Sequence, residues 1–295
     1  MATRNDKAQE AHDRLVAEIE KIETSDDWKA ALDVASKFHQ YSFNNQILIA
    51  VQAADRGFEP THVMPYGNKA GTSGWKSVGR QVRKGEKGLG IFAPVRRKTE
   101  DEDGESRYVV VGFRVAHVFD ISQTDGEPLP ELPSPEFLEG EALDLEPLEA
   151  YASDLGFSIE FVEPTDERLF TGTGYANGRT FYSRNEIVVR NDTSPLQAFK
   201  TTLHELGHAT LHKPFTGAGL ERPDCRGKVE VEAESVAYVV ASAFGLDTAD
   251  YSFGYVAGWA ANGSDSEPSK IVAETGQRVV SAAHAIIEAL ERSAA

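Results

Sequence analysis

Thr201-Thr202-Leu203-His204-Glu205-Leu206-Gly207-His208-Ala209-Thr210 places an H-E-x-x-H run inside a stretch that also reads as a helix. Residues four apart stand one turn above each other on a helix, so His204 and His208 can offer their imidazoles to one metal ion. Glu205 points to a neighbouring face, from which its carboxylate can take a proton from water at the metal, as the base of a zinc peptidase does. Ser194 is the expected N-cap and Pro195 suits the first helical position, where a missing N–H costs nothing. Leu196, Phe199, Leu203, Leu206 and Thr210 recur at helical spacing, and Lys213-Pro214 ends the run. The two histidines fall off this apolar stripe, on a flank that another element must cover, and Gly207 between them leaves room for a close approach.

A catalytic zinc site needs a third protein ligand and keeps its fourth position for water. Val229-Glu230-Val231-Glu232-Ala233-Glu234-Ser235-Val236-Ala237 supplies candidates. On a helix, Val229, Ala233, Val236, Ala237, Val240 and Phe244 form an apolar face, with Glu230 and Glu234 one turn apart beside it and Glu232 on the opposite flank. Spacing alone does not choose between Glu230 and Glu232. His212, close behind His208 at the helix end, reads as structural or solvated.

At 295 residues, 40% hydrophobic and 26% charged, the composition is that of a soluble globular protein with room for two domains. No run approaches the roughly 18 apolar residues of a membrane helix, and the charged N-terminal stretch is unlike a secretory signal, so a cytoplasmic protein with no membrane partner is expected. The single Cys225 rules out an internal disulfide and fits a reducing compartment. The net charge of -17 argues against nucleic acid as a partner of the whole surface. That average hides an asymmetry: residues 75–98 hold eight basic residues, Lys76, Arg80, Arg83, Lys84, Lys87, Arg96, Arg97 and Lys98, against Glu86 alone. An anionic partner would bind there.

Along the chain, residues 6–38 read as two helices, the second capped by Ser25 and carrying Trp28, Leu32, Ala35 and Phe38, and residues 41–52 as a third. In the third, Asn44, Asn45 and Gln52 can tie down nearby backbone or meet a partner. From Gly57 short strands and glycine turns take over: a basic loop at residues 78–95, an exposed hairpin tip at 101–105 and an alternating strand at 107–119. Cations set among Trp75, Phe92 and Tyr108 are the parts a single-strand binder needs, the charges for phosphates and the rings for unpaired bases; a solvated hairpin with buried aromatics explains them too. The proline-rich, acidic residues 126–142 are read as a linker between domains at 1–125 and 143–295. In the second domain a helix at 143–155 and a strand at 157–162 precede a hairpin, 179–183 and 186–190, turning at Arg184-Asn185. Ile187 to Val189 are candidates for pairing with an extended peptide substrate. Residues 251–259 are aromatic and glycine-rich, and residues 271–290 form a closing amphipathic helix.

Both halves resemble one known arrangement. Residues 41–124, with S-x-N-N-x-x-L-I-x-x-Q, Trp75, G-R-x-V-R-K-G-E-K-G and Val118-Phe119-Asp120-Ile121-Ser122-Gln123-Thr124, look like the single-stranded-DNA-binding domain of ArdC-type antirestriction proteins. H-E-L-G-H and E-x-E-A-E-S-V-A look like the metallopeptidase domain of that family, similar in turn to ImmA/IrrE-type peptidases. The resemblance implies an α+β protein, with a helical plus antiparallel-sheet single-stranded-DNA-binding domain followed by a zincin-like metallopeptidase domain, in a plasmid or conjugation context. Its pattern maps the third zinc (Zn2+) ligand onto Glu230 and a supporting carboxylate onto Glu234, with Glu232 a competitor or a further supporting residue. Glu205 is then the catalytic base. Single-stranded DNA would meet Trp75, Lys76, Arg80, Arg83, Lys84, Lys87, Arg96 and Arg97, and a protein or peptide would be the substrate. Two other functions remain: a DNA-binding protector with a structural metal, and an ImmA-like peptidase that cuts a regulatory protein.

Overall fold

The computed structural model describes residues 4–67, 73–100, 106–129, 144–213, 226–246, 248 and 267–293. Three helices come first: α1 (Arg4–Ile19), α2 (Ser25–Lys37) and α3 (Phe43–Ala54). The chain then divides into two compact units, one of Met1–Lys21 with Phe43–Pro130, the other of Ile22–Ser42 with Glu131–Ala295. Helix α2 thus belongs to the second unit, although its position in the sequence put it with the N-terminal half. Its cap also differs from expectation. Thr24, not Ser25, closes the first turn, in a reciprocal capping box with Asp27.

In the first unit, β1 (Val63–Pro65), β2 (Gln81–Val82), β3 (Leu89–Glu100), β4 (Ser106–Asp120) and β5 (Thr124–Asp125) form a three-stranded antiparallel sheet in the order β1-β4-β3 and a small β2-β5 pair. Helix α3 runs beside the edge strand β3 and takes the place of a neighbouring strand. Asn45 exchanges two hydrogen bonds of 2.9 Å with the backbone of Phe92, and Gln52 exchanges two of 2.8 Å with Gly90. These amides satisfy an edge that would otherwise expose its donors and acceptors. Phe43, Leu48 and Ile49 on α3, with Trp75, Leu89 and Val118, are buried to 1% exposure or little more.

Beyond Phe92 the β3–β4 hairpin becomes an exposed arm. Its register slips once: Val95 faces Gly112 but Arg96 faces Val110, leaving Val111 as an extra residue. A bulge restarts the alternation of side chains, so Tyr108, Val110 and Phe113 come to share one face with Lys98, Arg96 and Pro94, their cross-strand partners. The expected tip at 101–105 lies outside the described residues, as does most of the expected linker and the 251–259 segment.

The second unit holds α4 (Glu146–Asp154), β6 (Ser158–Val162), β7 (Gly178–Phe181), β8 (Glu186–Arg190), α5 (Pro195–Leu211), α6 (Arg226–Ala243) and α7 (Pro268–Ser293). Its sheet runs β6-β8-β7, with β6 parallel and β7 antiparallel to β8. Asn185, with φ 49°, makes the β7–β8 turn, a conformation asparagine tolerates. Ser194 caps α5 as its sequence suggests, its hydroxyl accepting from the Gln197 N–H at 3.2 Å, with Pro195 at N1. Helices α2, α5 and α7 all pack on α6. Trp28 of α2 is fully buried and its indole N–H donates to Ser235 Oγ at 2.9 Å, while Tyr238 of α6 bonds Asp33. Among the described residues no helix is long and apolar enough to cross a membrane.

Candidate metal centre

Helices α5 and α6 approach closely at one point. A Cβ on Gly207 would lie 3.0 Å from Ala233 Cα and 3.1 Å from its carbonyl oxygen, so the missing side chain sets the distance of approach. Beside this point, α5 presents His208 and, one turn earlier, His204, and α6 presents Glu234 and, one turn earlier, Glu230. His204 Nε2 and His208 Nε2 are 3.1 Å apart, and Glu230 Oε2 lies 3.4 Å from the first and 3.5 Å from the second. Atoms held about 2.0–2.2 Å from a tetrahedral zinc are about 3.3–3.5 Å from one another, so these three have the dimensions of one face of such a site. They form the one His/Cys/Asp/Glu cluster among the described residues with a metal-holding arrangement.

The surrounding groups fix the rings. His204 Nδ1 is 2.8 Å from Glu234 Oε2. His208 Nδ1 is 3.1 Å from His212 Nδ1, and His212 Nε2 is 2.8 Å from Glu232 Oε2. Glu232 is 2% exposed and lies on the far side of His212 from the triad, with Arg278 Nε 3.2 Å from its other oxygen. Of the two glutamates that spacing left open, Glu230 is therefore the one brought to the histidine pair. His212 is not solvated: it stands between Glu232 and His208.

Burial works against a charge on His204, but hydrogen bonds to Glu230 and Glu234 and the nearby Glu205 outweigh it and raise its pKa to about 10. The same hydrogen bonds from His204 and His208 hold Glu230 well below the usual carboxylate range. Burial lowers His212 despite Glu232. A metal ion at this site therefore competes with a proton.

Glu205 is 6% exposed, and its Oε2 accepts from the Thr180 hydroxyl at 2.7 Å. Thr180 sits on β7, and two residues earlier Gly178 passes so near that a Cβ there would come 2.9 Å from Glu205 Cγ and 2.6 Å from Thr201 Cγ2. Neither residue was singled out from the sequence; the H-E-x-x-H motif says nothing about which strand lies over its Glu. A cavity of about 540 Å³ opens here, lined by Gly178, Arg179, Thr180, Lys200 and Glu205 together with the triad. Strand β7 is the edge of its sheet, whereas β8 is paired on both sides and Ile187, Val188 and Val189 are buried at 0%, 0% and 1% exposure. The expectation that Ile187 to Val189 would pair with a peptide is thus corrected: the edge beside the cavity is β7.

The first unit disperses the expected DNA-contacting residues. Trp75 is fully buried, its indole N–H donating to the Phe119 carbonyl at 2.9 Å, so it offers no face for stacking. Arg80 is 9% exposed and committed to Thr124 Oγ1 at 2.8 Å and to the carbonyls of Gly126 and Glu127. Arg83 is exposed but bonds Glu86 and the Ser122 carbonyl. Lys76, Lys84, Lys87, Arg96 and Arg97 are exposed, Lys76 lying 4.5 Å over the Tyr66 ring. The sequence reading missed how open the arm is: Tyr108 is 70%, Val110 53% and Phe113 66% exposed.

Fold and site together define an α+β protein with a sheet-bearing arm in one unit and a His-His-Glu triad across a helix pair in the other. Residues 5–119 match the family model for the N-terminal domain of anti-restriction factor ArdC. The fold is that of antirestriction protein ArdC from plasmid R388. Its metal-free crystal structure matches with a TM-score of 0.51 and 22% identity over 96% of this chain and 97% of that one. Its Mn(II)-bound crystal structure matches at 0.50 and 20% identity over 97% of both chains. The uncharacterized protein pXO2-81 of Bacillus anthracis is 26% identical over 89% of this chain, which spans about half of that relative, 48% of its length.

Proposed function

We propose that the second unit is a metal-dependent peptidase in which His204, His208 and Glu230 hold a zinc-type divalent ion. The observation that carries this reading is the 3.1, 3.4 and 3.5 Å triangle of donor atoms facing a cavity that also receives the Glu205 carboxylate. The Mn(II)-bound ArdC structure supports a divalent ion in this fold. When bound, the ion supplies Lewis-acid chemistry, lowering the pKa of a water from about 15.7 to about 7 and polarising a carbonyl. Glu205 takes the proton of the attacking water and delivers it to the leaving amine. Thr180 holds that carboxylate in one orientation, and β7, an edge strand among the described residues, receives the substrate backbone in an extended form. In the test, zinc-loaded protein is incubated with a proteome-derived peptide library and new termini are read by mass spectrometry. Wild type should cut and Glu205→Gln should not, at equal zinc content; the same cuts from both would remove Glu205 from the chemistry.

A separate observation supports single-stranded DNA as the partner of the first unit. Tyr108 and Phe113, on the face that also carries Arg96 and Lys98, combine rings for stacking with cations for phosphates in a chain whose net charge is -17. The DNA runs along this arm, with Lys84, Lys87 and Arg97 adding charge. Tyr108→Ala and Phe113→Ala should each weaken binding to an oligo-dT probe by about 1–3 kcal/mol. Unchanged affinity in the double variant would move the interface elsewhere. The ArdC likeness supports an antirestriction role for the two activities together.

A further inference from the structure

His208 reaches the triad with Nε2, and its other nitrogen is held by a second imidazole in place of a carboxylate or a carbonyl. The protons along this line can be assigned from its far end. Glu232 is buried with Arg278 beside it, and an ionised carboxylate only accepts hydrogen bonds, so His212 carries its proton on Nε2, 2.8 Å from Glu232 Oε2. The Nδ1 of His212 is then a lone pair. Since it lies 3.1 Å from His208 Nδ1, the proton between them belongs to His208. When a metal ion takes the place of the proton shared with Glu230, that leaves the lone pair of His208 on Nε2, the atom beside His204 Nε2 and Glu230. Once a metal ion displaces its Nε2 proton, His204 reaches the same tautomer in one step, through Glu234.

We propose that His212 and Glu232 are positioning residues that act through His208, fixing its tautomer and aiming its Nε2 at the metal. The inference rests on the metal reading given above. Packing does not explain the pair, because replacing buried ionic groups by apolar ones of similar volume is often neutral or stabilising. Hydrogen bonds to the outer nitrogen of a ligating histidine also raise its basicity, and their loss costs about 10–100-fold in metal affinity. Here the carboxylate acts across an intervening ring, and Arg278 anchors it while also donating to the Leu211 carbonyl at the end of α5.

Two measurements on the full chain test this. Long-range proton–nitrogen correlation spectra of the zinc-loaded, 15N-histidine-labelled protein should show His212 protonated on Nε2 and His208 on Nδ1. The metal-free melting temperature should fall in His212→Leu, which leaves the buried Glu232 carboxylate facing an apolar group, and stay level or rise in His212→Leu with Glu232→Leu; in chelator competition both should bind zinc about 10–100-fold more weakly. His212→Asn should recover most of that loss, because its Oδ1 takes the acceptor position of Nδ1. A His212 proton on Nδ1, wild-type zinc affinity in His212→Leu, or an Asn variant as weak as the Leu variant would each overturn the proposal. Failure of the wild-type chain to bind zinc would overturn both the metal reading and this one, whereas zinc bound equally by wild type and His212→Leu would overturn this one alone.

Discussion

Gly178 and Thr180 govern Glu205 from the same strand, one by leaving space and the other by filling it with a hydroxyl. Gly178→Ala would put a methyl group 2.6 Å from Thr201 Cγ2 and 2.9 Å from Glu205 Cγ. Relieving that overlap should cost about 1–3 kcal/mol of stability and turn Glu205 out of position. Peptide cleavage should therefore fall while zinc content, measured by metal analysis, stays at the wild-type value. Thr180→Val keeps the shape and removes the 2.7 Å hydrogen bond, and should lower kcat about tenfold, as expected for about 1.5 kcal/mol of lost orientation. The legible part of the site was local. His204, Glu205 and His208 follow from a spacing within one helix. Glu230 and Glu232 lie two residues apart on the same helix, and only the placement of α5 against α6 separates a residue beside the triad from one behind His212. Trp75 was misread for a related reason: an aromatic next to basic residues gives the same pattern whether its ring is solvated or, as here, fully buried with its N–H on the Phe119 carbonyl.

Among elements, the α5–α6 crossing makes the sharpest forecast. Alanine for glycine in a solvated helix interior gains about 1 kcal/mol. At Gly207 the added Cβ would meet backbone atoms of Ala233 at 3.0 and 3.1 Å, which cannot rotate away. Gly207→Ala should therefore lower the melting temperature instead of raising it, and weaken zinc binding by moving Glu230 away from the histidines. The sheet of the same unit is laced by Arg168, which meets Glu160 at 2.6 Å, Glu186 at 2.7 Å and Asp166 at 2.9 Å. Side-chain and backbone hydrogen bonds from Arg168 pull Asp166 down to about 2. A folded pKa below the unfolded value of about 3.9 means that this stabilisation is complete above that pH and is lost as the pH falls through about 2. Arg168→Met should thus raise the midpoint of acid unfolding followed by circular dichroism. Element boundaries within α5 and the β7–β8 turn were readable because caps, prolines and turn residues act over a few positions. The partner of α2 was not: its apolar stripe states that one face is buried and leaves the covering element open.

For the whole molecule, the division of charge between a basic arm and an acidic remainder predicts a strong salt response. Binding of oligo-dT should weaken steeply as salt rises, and Lys84→Gln with Lys87→Gln should flatten that slope while lowering affinity. The second unit also depends on a helix encoded far from the rest of it. A fragment of residues 144–295 would lack α2 and uncover the α6 surface that Trp28 fills, a loss comparable to truncating a buried tryptophan, about 3–5 kcal/mol. That fragment should melt below the full chain or aggregate, and adding residues 22–42 in trans should restore it, as read by scanning calorimetry.

The backbone passes from one unit to the other three times, at residues 21–22, 42–43 and 130–131. During synthesis, Trp28 leaves the ribosome some two hundred positions before Ser235, the residue it must bond, as their separation of 207 implies. The first unit can close once its last strand has emerged, while α2 waits as an unpartnered amphipathic segment. Such a division also restricts how the chain can be cut: no single breakpoint releases the second unit intact, because residues 22–42 and 131–295 lie on either side of residues 43–130 in the sequence.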